Sequence, residues 1–319
     1  MKAAVVKGLA QTPVYEEFAE PTALAEERLV AVTASALSHL TRSRASGKHY
    51  SSSGHFPFVA GIDGVGRLED GSRVFFVLPS RPHGALAERT VVPAHRCLPL
   101  HDDLDDVTAA AIANPGMSSW AAYAERARLK PGETVLVNGA TGTSGRLAVQ
   151  IARHMGAGRI IATGRNEEAL QELESLGADV TIPLLQEESA LDVAFSREFA
   201  AGVDVVIDYL WGRSAELVLT AAARAGQDAR PIRYVQVGSM SGSDINLPAS
   251  VLRSSAIQLM GSGIGSISLD RLIACIADLL KAAGRGGFRI ATRMAPLSDI
   301  ENAWAWDETG GRTVIVTEA

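Results

Sequence analysis

Hydrophobic and polar positions follow two different patterns along the 319 residues of this chain. Up to about residue 115, short apolar runs such as 29–33, 64–68, 73–78 and 88–92 alternate with Gly, Pro and Ser. Runs of this length, bounded by turn residues, predict a partly open barrel of short strands. From Lys130 onward, strand-like and helix-like patterns alternate, which indicates a doubly wound parallel sheet and hence an α/β fold.

The second pattern is regular enough to predict individual elements. Strands are predicted at 134–138, 159–163, 179–182, 203–207, 234–237 and 257–260. Helices are predicted at 146–154, from Asn166 to about residue 175, at 189–200 and at 213–225. Asn166 is expected to be the N-cap of the second of these helices. Gly156 and Gly177 are expected to end the first two of these helices. In the chain after residue 260, the pattern predicts a helix at 268–283, a strand at 289–294, a helix at 297–307 and a closing strand at 313–317.

A glycine-rich turn follows the strand at 134–138. It consists of Gly139, Ala140, Thr141, Gly142, Thr143, Ser144 and Gly145. Glycine allows the sharp turn, admits a pyrophosphate close to the backbone and lets the next helix pack tightly on the sheet. The helix N-terminus adds free N–H donors, and the hydroxyl groups of the turn can add more. The pattern predicts dinucleotide binding; the alternative is a tight strand–helix connection without a ligand.

The end of the second strand selects the cofactor in such folds. An acidic side chain there binds the ribose 2′-hydroxyl of NAD(H). This chain has Gly164, Arg165 and Asn166 instead. A guanidinium group matches a 2′-phosphate in charge and shape, so we expect NADPH as the cofactor. The alternative for Arg165 is a solvated surface arginine.

Further cofactor contacts are expected where later strands end. We expect Tyr209 to cover a ribose, Gly238 and Ser239 to let the nicotinamide ribose approach, and Gly263 to meet the nicotinamide amide. Each of these residues has plain turn chemistry as its alternative.

Composition and charge argue against several classes of protein. The net charge of −6 argues against nucleic acid or an anionic membrane as a partner. The N-terminus does not have the pattern of a signal peptide, and no apolar stretch approaches the length of a membrane span. The two cysteines, Cys97 and Cys275, have neither metal-ligand nor disulfide spacing. A cytoplasmic protein is the expectation.

Several segments together resemble the medium-chain dehydrogenase/reductase superfamily, in its zinc-free quinone oxidoreductase-like branch, over nearly the full length. They are 61–66, 70–74, 84–88, 114–120, the glycine turn, 203–209, 235–239 and 310–316. The resemblance implies a GroES-like β-rich catalytic domain at 1–114 and 267–319 and a Rossmann domain at 115–266. It also implies a cofactor in the cleft between them and a homodimer, in which residues near 257–260 supply the pairing edge.

The chain departs from the zinc-dependent relatives at their metal ligands. Ser38 stands where they have a cysteine, and Ile62 where they have a histidine. Zinc needs three protein ligands, so we expect no metal. Without zinc, a simple ketone is a poor hydride acceptor, whereas quinones and α,β-unsaturated carbonyls spread the developing charge by conjugation. Tyr50, Ser38 and His39 are the catalytic candidates. The alternative is a packing role for Tyr50 and a structural role for His39.

The expected function is therefore zinc-independent hydride transfer from NADPH to a small-molecule quinone or α,β-unsaturated carbonyl. Three alternatives remain open. They are a zinc-free aldehyde or alcohol reductase, a non-catalytic NADPH-binding sensor, and a short-chain-type reductase, which usually has its glycine turn near the N-terminus.

Overall fold

The computed structural model describes residues 1–47, 55–307 and 311–317. The chain divides into two compact units. We call Met1–Asn114 with Ile276–Ala319 the first unit, and Pro115–Cys275 the second unit. The predicted division placed the second boundary after residue 266. The catalytic and cofactor-binding roles of the two units stay predictions.

The strands are numbered in chain order. They are β1 (Lys2–Val6), β2 (Val14–Glu17), β3 (Glu27–Ala36), β4 (Phe58–Val59), β5 (Asp63–Arg67), β6 (Arg73–Val77), β7 (Arg89–Pro93), β8 (Cys97–Pro99), β9 (Thr134–Asn138), β10 (Arg159–Gly164), β11 (Val180–Pro183), β12 (Val205–Asp208), β13 (Ile232–Gln236), β14 (Ile257–Gly261), β15 (Thr292–Pro296) and β16 (Arg312–Val316).

The α-helices are numbered in the same way. They are α1 (His39–Ala45), α2 (Asp106–Ala121), α3 (Thr143–His154), α4 (Glu167–Ser175), α5 (Glu188–Ala201), α6 (Gly212–Ala225), α7 (Ala249–Arg253), α8 (Leu269–Gly286) and α9 (Ile300–Ala305). A π-helical segment, Ala122–Ala127, continues α2, and short 3₁₀ turns occupy Ala94–Arg96 and Leu297–Asp299.

The first unit is built from two sheets of short strands. One sheet has the order β2-β1-β4, and the other has the order β15-β16-β3-β5-β6-β8, with β7 also paired to β3. All pairs are antiparallel except β15 with β16. Apolar side chains of β3, β6 and β7 bury a common core that includes Val30, Val32, Phe76 and Val92. The predicted β-rich character of this part is confirmed.

The second unit contains a six-stranded parallel sheet with the order β11-β10-β9-β12-β13-β14. If β9 is counted as the first strand, this is the 3-2-1-4-5-6 order of dinucleotide-binding sheets. The central strands are buried on both faces, as parallel sheets require. Phe195 and Phe199 of α5 pack with Leu219 of α6 against Val206. The predicted doubly wound parallel sheet is confirmed.

Several predicted element ends agree closely with the structure. The Asn166 side chain caps α4 by accepting a hydrogen bond from the Ala169 N–H at 3.0 Å. Gly156 and Gly177 follow α3 and α4 with φ values of +87° and +113°, conformations that favour glycine. The predicted start of α3 at residue 146 was too late, because the helix already begins at Thr143 within the glycine turn.

Two helices lie where the sequence predicted only strands and irregular chain. α1 begins at His39, and α2 extends from Asp106 to Ala121 with Pro115 inside it. Pro115 and Gly116 disfavour a helix when residues are considered locally. Burial outweighs this cost, since Ala109, Ala111 and Ile112 are completely inaccessible to solvent. In the part of the chain that the structure describes, no helix is long and apolar enough to cross a membrane.

Candidate cofactor and active site

The strand order of the parallel sheet reverses between β9 and β12. From β9 the chain first adds β10 and β11 on one side, and then β12, β13 and β14 on the other. Asn138 ends β9, Asp208 ends β12, and the two residues are register partners. The Asn138 Nδ2 donates a hydrogen bond to the Asp208 Oδ1 at 2.8 Å. In open α/β sheets, ligands bind outside the carboxyl ends of the strands at this switch point. The geometry therefore marks the ends of β9 and β12 as the centre of a candidate site.

A buried hydrogen-bond network surrounds this pair. The Thr163 hydroxyl and the Ser214 hydroxyl both donate to the Asn138 Oδ1, at 2.8 and 2.9 Å. The Tyr234 hydroxyl donates to the Asp208 Oδ2 at 2.8 Å. Burial raises the pKa of Asp208, and the hydrogen bonds that its carboxylate accepts from backbone N–H groups, Tyr234 and Asn138 oppose the rise. The network connects four neighbouring strands: the carboxyl ends of β10, β9 and β12, and the middle of β13.

The glycine turn begins directly after this network. Gly139 has a φ of +87°, and its N–H donates to the Thr163 hydroxyl oxygen at 3.1 Å. The Ala140 N–H donates to the Thr163 carbonyl at 2.7 Å, and Ala140 is completely buried. The turn is therefore held against the end of β10.

The next two glycines have opposite surroundings. A Cβ atom added to Gly145 would overlap the carbonyl oxygen of Gly139 and lie 2.5 Å from the Cα of Ala140. A Cβ atom on Gly142 would have no atom of the described residues within 4 Å. Gly145 thus allows helix α3 to approach the turn, whereas Gly142 presents open backbone to solvent. These are the two roles that a pyrophosphate-binding turn requires.

The first turn of α3 has no side-chain cap. Gly142 is the N-cap residue and forms no side-chain hydrogen bond. Thr141, Thr143 and Ser144 are partly exposed beside it, and the carbonyl groups of Thr141 and Ser144 accept hydrogen bonds from Arg146 and Ser119. Uncapped N–H groups and the positive end of the helix dipole suit a phosphate group. The residues of the turn therefore fit a dinucleotide.

The end of β10 lies against the same turn. A Cβ atom on Gly164 would overlap the Cγ2 of Thr141, so glycine is needed for this approach. Arg165 follows and is exposed, and no ion pair joins it to another residue in the described ranges. Asn166 uses its side chain as the cap of α4. Arg165 is therefore the residue of this segment whose charge is available to a ligand.

The remaining cofactor candidates differ in their surroundings. Tyr209 is buried, and its hydroxyl lies 2.7 Å from that of Ser119, while burial raises its pKa to about 12. Gly238 packs tightly, because a Cβ atom there would lie 2.6 Å from the Tyr209 carbonyl oxygen. Ser239 is exposed. Gly263 has open space around it, but its N–H donates to the Ser266 hydroxyl oxygen at 2.9 Å.

The catalytic candidates lie in the first unit. Ser38 is buried and caps α1: its Oγ accepts from the Thr41 N–H and lies 2.9 Å from the Thr41 hydroxyl. His39 is exposed in the first turn of that helix. Tyr50 lies outside the described residues. Asp63 is buried at the start of β5, and the Asn114 Nδ2 donates to its Oδ2 at 3.3 Å. Burial raises the pKa of Asp63 to about 6, against the opposing effect of Arg312.

Comparison with known proteins agrees with this geometry. A family model described as zinc-binding dehydrogenase matches residues 145–282. A probable NADPH-dependent quinone reductase of Emericella nidulans is 30% identical, with 95% of this chain and 96% of that protein covered. The chain belongs to the medium-chain dehydrogenase/reductase superfamily, in its quinone oxidoreductase-like branch. It is thus a member of an oxidoreductase family.

Solved structures support the same family. The quinone oxidoreductase of Thermus thermophilus, whose complex with NADPH has also been solved, is 28% identical. It superimposes with a TM-score of 0.80, covering 99% of this chain and 100% of that chain. A probable oxidoreductase of Mycobacterium abscessus is 29% identical, with a TM-score of 0.78 and coverages of 99% and 98%. The architecture is therefore the GroES-like and Rossmann combination of the superfamily.

The description of the matching family model raises the question of zinc. At two positions where zinc-dependent members have ligands, this chain has Ser38, whose oxygen caps a helix, and Ile62. In residues 1–47, 55–307 and 311–317, no group of three His, Cys, Asp or Glu side chains could hold a metal ion. At these two positions the side chains are therefore not those of the superfamily's zinc site, which needs three protein ligands.

Some residues of the site were not identified from the sequence. Asn138, Thr163, Ser214 and Tyr234 form the buried network, yet none of them was a candidate. Only Asn138 and Thr163 carry a local signal, which is a polar residue at or near the end of an apolar strand. Arg146 was also missed; its guanidinium donates to the Thr141 carbonyl and pairs with Glu172 at 2.7 Å.

Proposed function

We propose that this protein is a zinc-independent reductase that transfers a hydride from NADPH to a quinone or an α,β-unsaturated carbonyl compound. The observation that carries the proposal is the turn after β9, where an open Gly142 and an uncapped α3 lie near Arg165, whose charge has no ion pair among the described residues. Relatives support it: one is named a probable NADPH-dependent quinone reductase, and another, 30% identical over 60% of this chain, a 2-haloacrylate reductase of Burkholderia.

NADPH rather than NADH is proposed because of the end of β10. The last strand residue is Gly164, and the exposed Arg165 follows in place of a carboxylate. A guanidinium group forms charge-assisted hydrogen bonds with a phosphate, whereas a carboxylate there would repel it. Gly139 to Gly145 would hold the pyrophosphate, and Gly164, Arg165 and Asn166 would surround the 2′-phosphate. Tyr209, Gly238, Ser239 and Gly263 remain proposed cofactor contacts.

The proposed reaction needs a conjugated acceptor. The hydride adds to the β-carbon of an enone, or to a quinone, and the electron pair moves onto the carbonyl oxygen, after which a proton completes the reduction. Conjugation spreads the negative charge, so hydrogen-bond donors replace a Lewis acid. Ser38, His39 and Tyr50 are the proposed catalytic residues. Of these, Ser38 has its hydroxyl already placed by Thr41.

Steady-state assays with purified protein test the proposal. NADPH and NADH oxidation would be followed separately with a quinone, an enone and a simple aldehyde, before and after dialysis against a chelator. We expect NADPH oxidation by the quinone or the enone, unchanged by the chelator. Activity confined to the aldehyde and lost with the chelator would overturn the zinc-independent proposal. NADPH binding without turnover of any acceptor would favour the non-catalytic alternative.

A homodimer and a small-molecule substrate complete the proposal. β14 lies at the edge of the parallel sheet, as expected for a strand that pairs with a second copy. Leu259 of this strand has 38% of its surface exposed, and Ile264 just beyond it has 61%. Exposed apolar side chains beside an open sheet edge are typical of interfaces between copies. Sedimentation equilibrium of the wild-type protein and of Leu259→Lys would test this: the variant should shift toward monomer.

A further inference from the structure

The first unit contains a pocket whose described lining residues all belong to that unit. It is bordered by α1, by the segment from β4 to Ile62 and by the loop that follows β6, and its walls include Thr41, Arg44, Phe58, Ile62, Arg81 and Arg96. Its volume is about 180 Å³. This is below the roughly 300–1,000 Å³ of typical small-molecule pockets, so the pocket suits one end of a compact ligand and not the whole molecule.

The charged side chains that line the pocket are all positive. Arg44, Arg81 and Arg96 line it together with His83, and none of its described lining residues is Asp or Glu. This contrasts with the chain as a whole, whose net charge is −6. Guanidinium groups around a concave, partly apolar surface produce a positive potential that attracts anions. The lining therefore favours a ligand with a negative group.

The arginines are held at the pocket by specific contacts. The Arg96 Nη1 donates to the Leu78 carbonyl at 3.2 Å. The Arg96 Nε is buried and has no hydrogen-bond partner within the described residues. The Arg81 guanidinium lies 5.7 Å from the centre of the Phe58 ring, a cation–π contact that places it at the pocket wall.

The pocket is adjacent to a proposed catalytic residue. Thr41 contributes to its wall, and the Thr41 hydroxyl lies 2.9 Å from the Ser38 Oγ. Ile62 also contributes to the lining. A ligand in this pocket would therefore lie near the buried Ser38–Thr41 pair and would place its anionic end among the arginines.

We propose that the physiological acceptor carries a carboxylate and that Arg81 and Arg96, with Arg44, bind it in this pocket. The substrate class is thus a quinone or enone with a carboxylate substituent rather than a neutral one. This inference rests on the proposed reductase function. Planar guanidinium groups bind carboxylates through paired, charge-assisted hydrogen bonds, which gives the arginines a role in specificity.

Matched enones test the inference. Benzalacetone, its para-carboxylate and the methyl ester of that carboxylate would be compared as acceptors with saturating NADPH. The ester controls for the size of the substituent. Since a hydrogen bond to a charged group contributes about 1.5–3 kcal/mol, kcat/KM should be at least about tenfold higher for the carboxylate than for the ester. Equal values for the three acceptors would overturn the inference while leaving the reductase function intact.

Variants separate pocket recognition from general charge effects. In Arg81→Gln and Arg96→Gln, the ratio of carboxylate to ester kcat/KM should fall about tenfold, mainly through KM. Arg28→Gln removes an exposed arginine of the same unit outside the pocket lining and should leave the ratio unchanged. A similar fall in all three variants would mean that net charge, and not this pocket, selects the acceptor.

Direct binding distinguishes this inference from the reductase function itself. Benzoate and inorganic phosphate would be titrated into the wild-type protein and Arg96→Gln by isothermal calorimetry, which needs no turnover. Both proteins would be saturated with NADPH, so that the proposed phosphate sites of the cofactor are already filled. Weaker benzoate binding by the variant supports the pocket, whether or not any enone is reduced. Failure to reduce any enone counts against the proposed reductase function and not against the pocket. Phosphate bound more tightly than benzoate, or equal benzoate binding by both proteins, would overturn the carboxylate assignment.

Discussion

Asn138 and Asp208, which lie 70 positions apart in the sequence, are joined by a buried hydrogen bond of 2.8 Å at the carboxyl ends of neighbouring strands. Neither side chain is accessible to solvent. Each has further partners: Asn138 accepts from Thr163 and Ser214, and Asp208 accepts from Tyr234. The proposed cofactor turn therefore begins at a point where its supporting strands are fixed by polar contacts as well as by apolar packing.

Removing the Tyr234 hydroxyl should destabilise the protein. Tyr234→Phe takes one donor from a buried carboxyl group, and the loss of a hydrogen bond to a charged group costs about 1.5–3 kcal/mol. Tyr123→Phe is the matched control, because that buried hydroxyl donates to a neutral acceptor, the Ala148 carbonyl, at 3.1 Å. Urea unfolding of both variants should show the larger loss for Tyr234→Phe. An equal or smaller loss would mean that Asp208 does not depend on this donor.

The two glycines of the turn should respond differently to substitution by alanine. Gly145→Ala introduces a Cβ that overlaps backbone atoms of Gly139, and backbone cannot move aside as a flexible side chain can. We expect a loss of stability of about 1–3 kcal/mol, despite the better helix propensity of alanine. Thermal or urea unfolding measures this loss. A stability equal to that of the wild type would contradict the close approach of α3 to the turn.

Gly142→Ala should instead leave the fold intact and weaken cofactor binding. The new Cβ contacts no atom of the described residues, and the φ of −76° is accessible to alanine. It would, however, occupy the open side of the turn where we propose that the pyrophosphate lies. An unfolding free energy like that of the wild type, with about tenfold weaker NADPH binding by fluorescence titration, is expected. Unchanged affinity would exclude this side of the turn as the phosphate site.

Local sequence patterns were sufficient to predict the elements that are determined by residues close together in the sequence. The glycine turn after β9 and the Asn166 cap each depend on a few adjacent residues. The structure has both, although α3 begins three residues earlier than predicted. α2 was missed because Pro115 and Gly116 oppose a helix locally, while the burial that stabilises it depends on distant parts of the chain. The Asn138–Asp208 pair was missed for the same reason, since parallel strands bring together residues that no short window contains.

The pocket in the first unit shows the same limit. Its three arginines come from α1, from the loop after β6 and from the 3₁₀ turn before β8, so no sequence motif unites them. Ser38 and Ile62, in contrast, were recognised as departures from zinc ligands, because the resemblance aligned them with known positions. Sequence reasoning therefore found the residues that a family pattern marks, and the structure was needed to show the charge that lies around them.

Arg165 should determine the preference for NADPH. Arg165→Ala removes the guanidinium group that we propose for the 2′-phosphate, without breaking an ion pair among the described residues. The ratio of kcat/KM for NADPH to that for NADH should fall about tenfold to a hundredfold, with NADH little affected. Arg253→Ala, which removes another exposed arginine of the second unit, is the control. An unchanged ratio in Arg165→Ala would show that Arg165 is a solvated surface residue.

Asp63 should make stability depend on pH between about 4 and 6. Its pKa is raised to about 6 in the folded protein, whereas an unfolded aspartate has a pKa of about 3.9. In this interval the folded state holds a proton that the unfolded state has released, so the free energy of unfolding falls as the pH rises. The shift contributes about 3 kcal/mol to the free energy of unfolding at pH values below about 4. This contribution is fully lost once the pH exceeds the folded pKa.

Asp63→Asn tests this pH dependence directly. The asparagine can still accept the hydrogen bond from Asn114 but cannot ionise. We therefore expect the difference in unfolding free energy between the variant and the wild type to move in favour of the variant as the pH rises from about 4 to about 6. Urea unfolding at a series of pH values measures the difference. Asp63 also interacts with Arg312, and the substitution removes that interaction. The test therefore uses the change of the stability difference with pH, and not the stability of the variant at one pH. A difference that stays constant across the interval would show that Asp63 ionises as readily in the folded protein as in the unfolded chain.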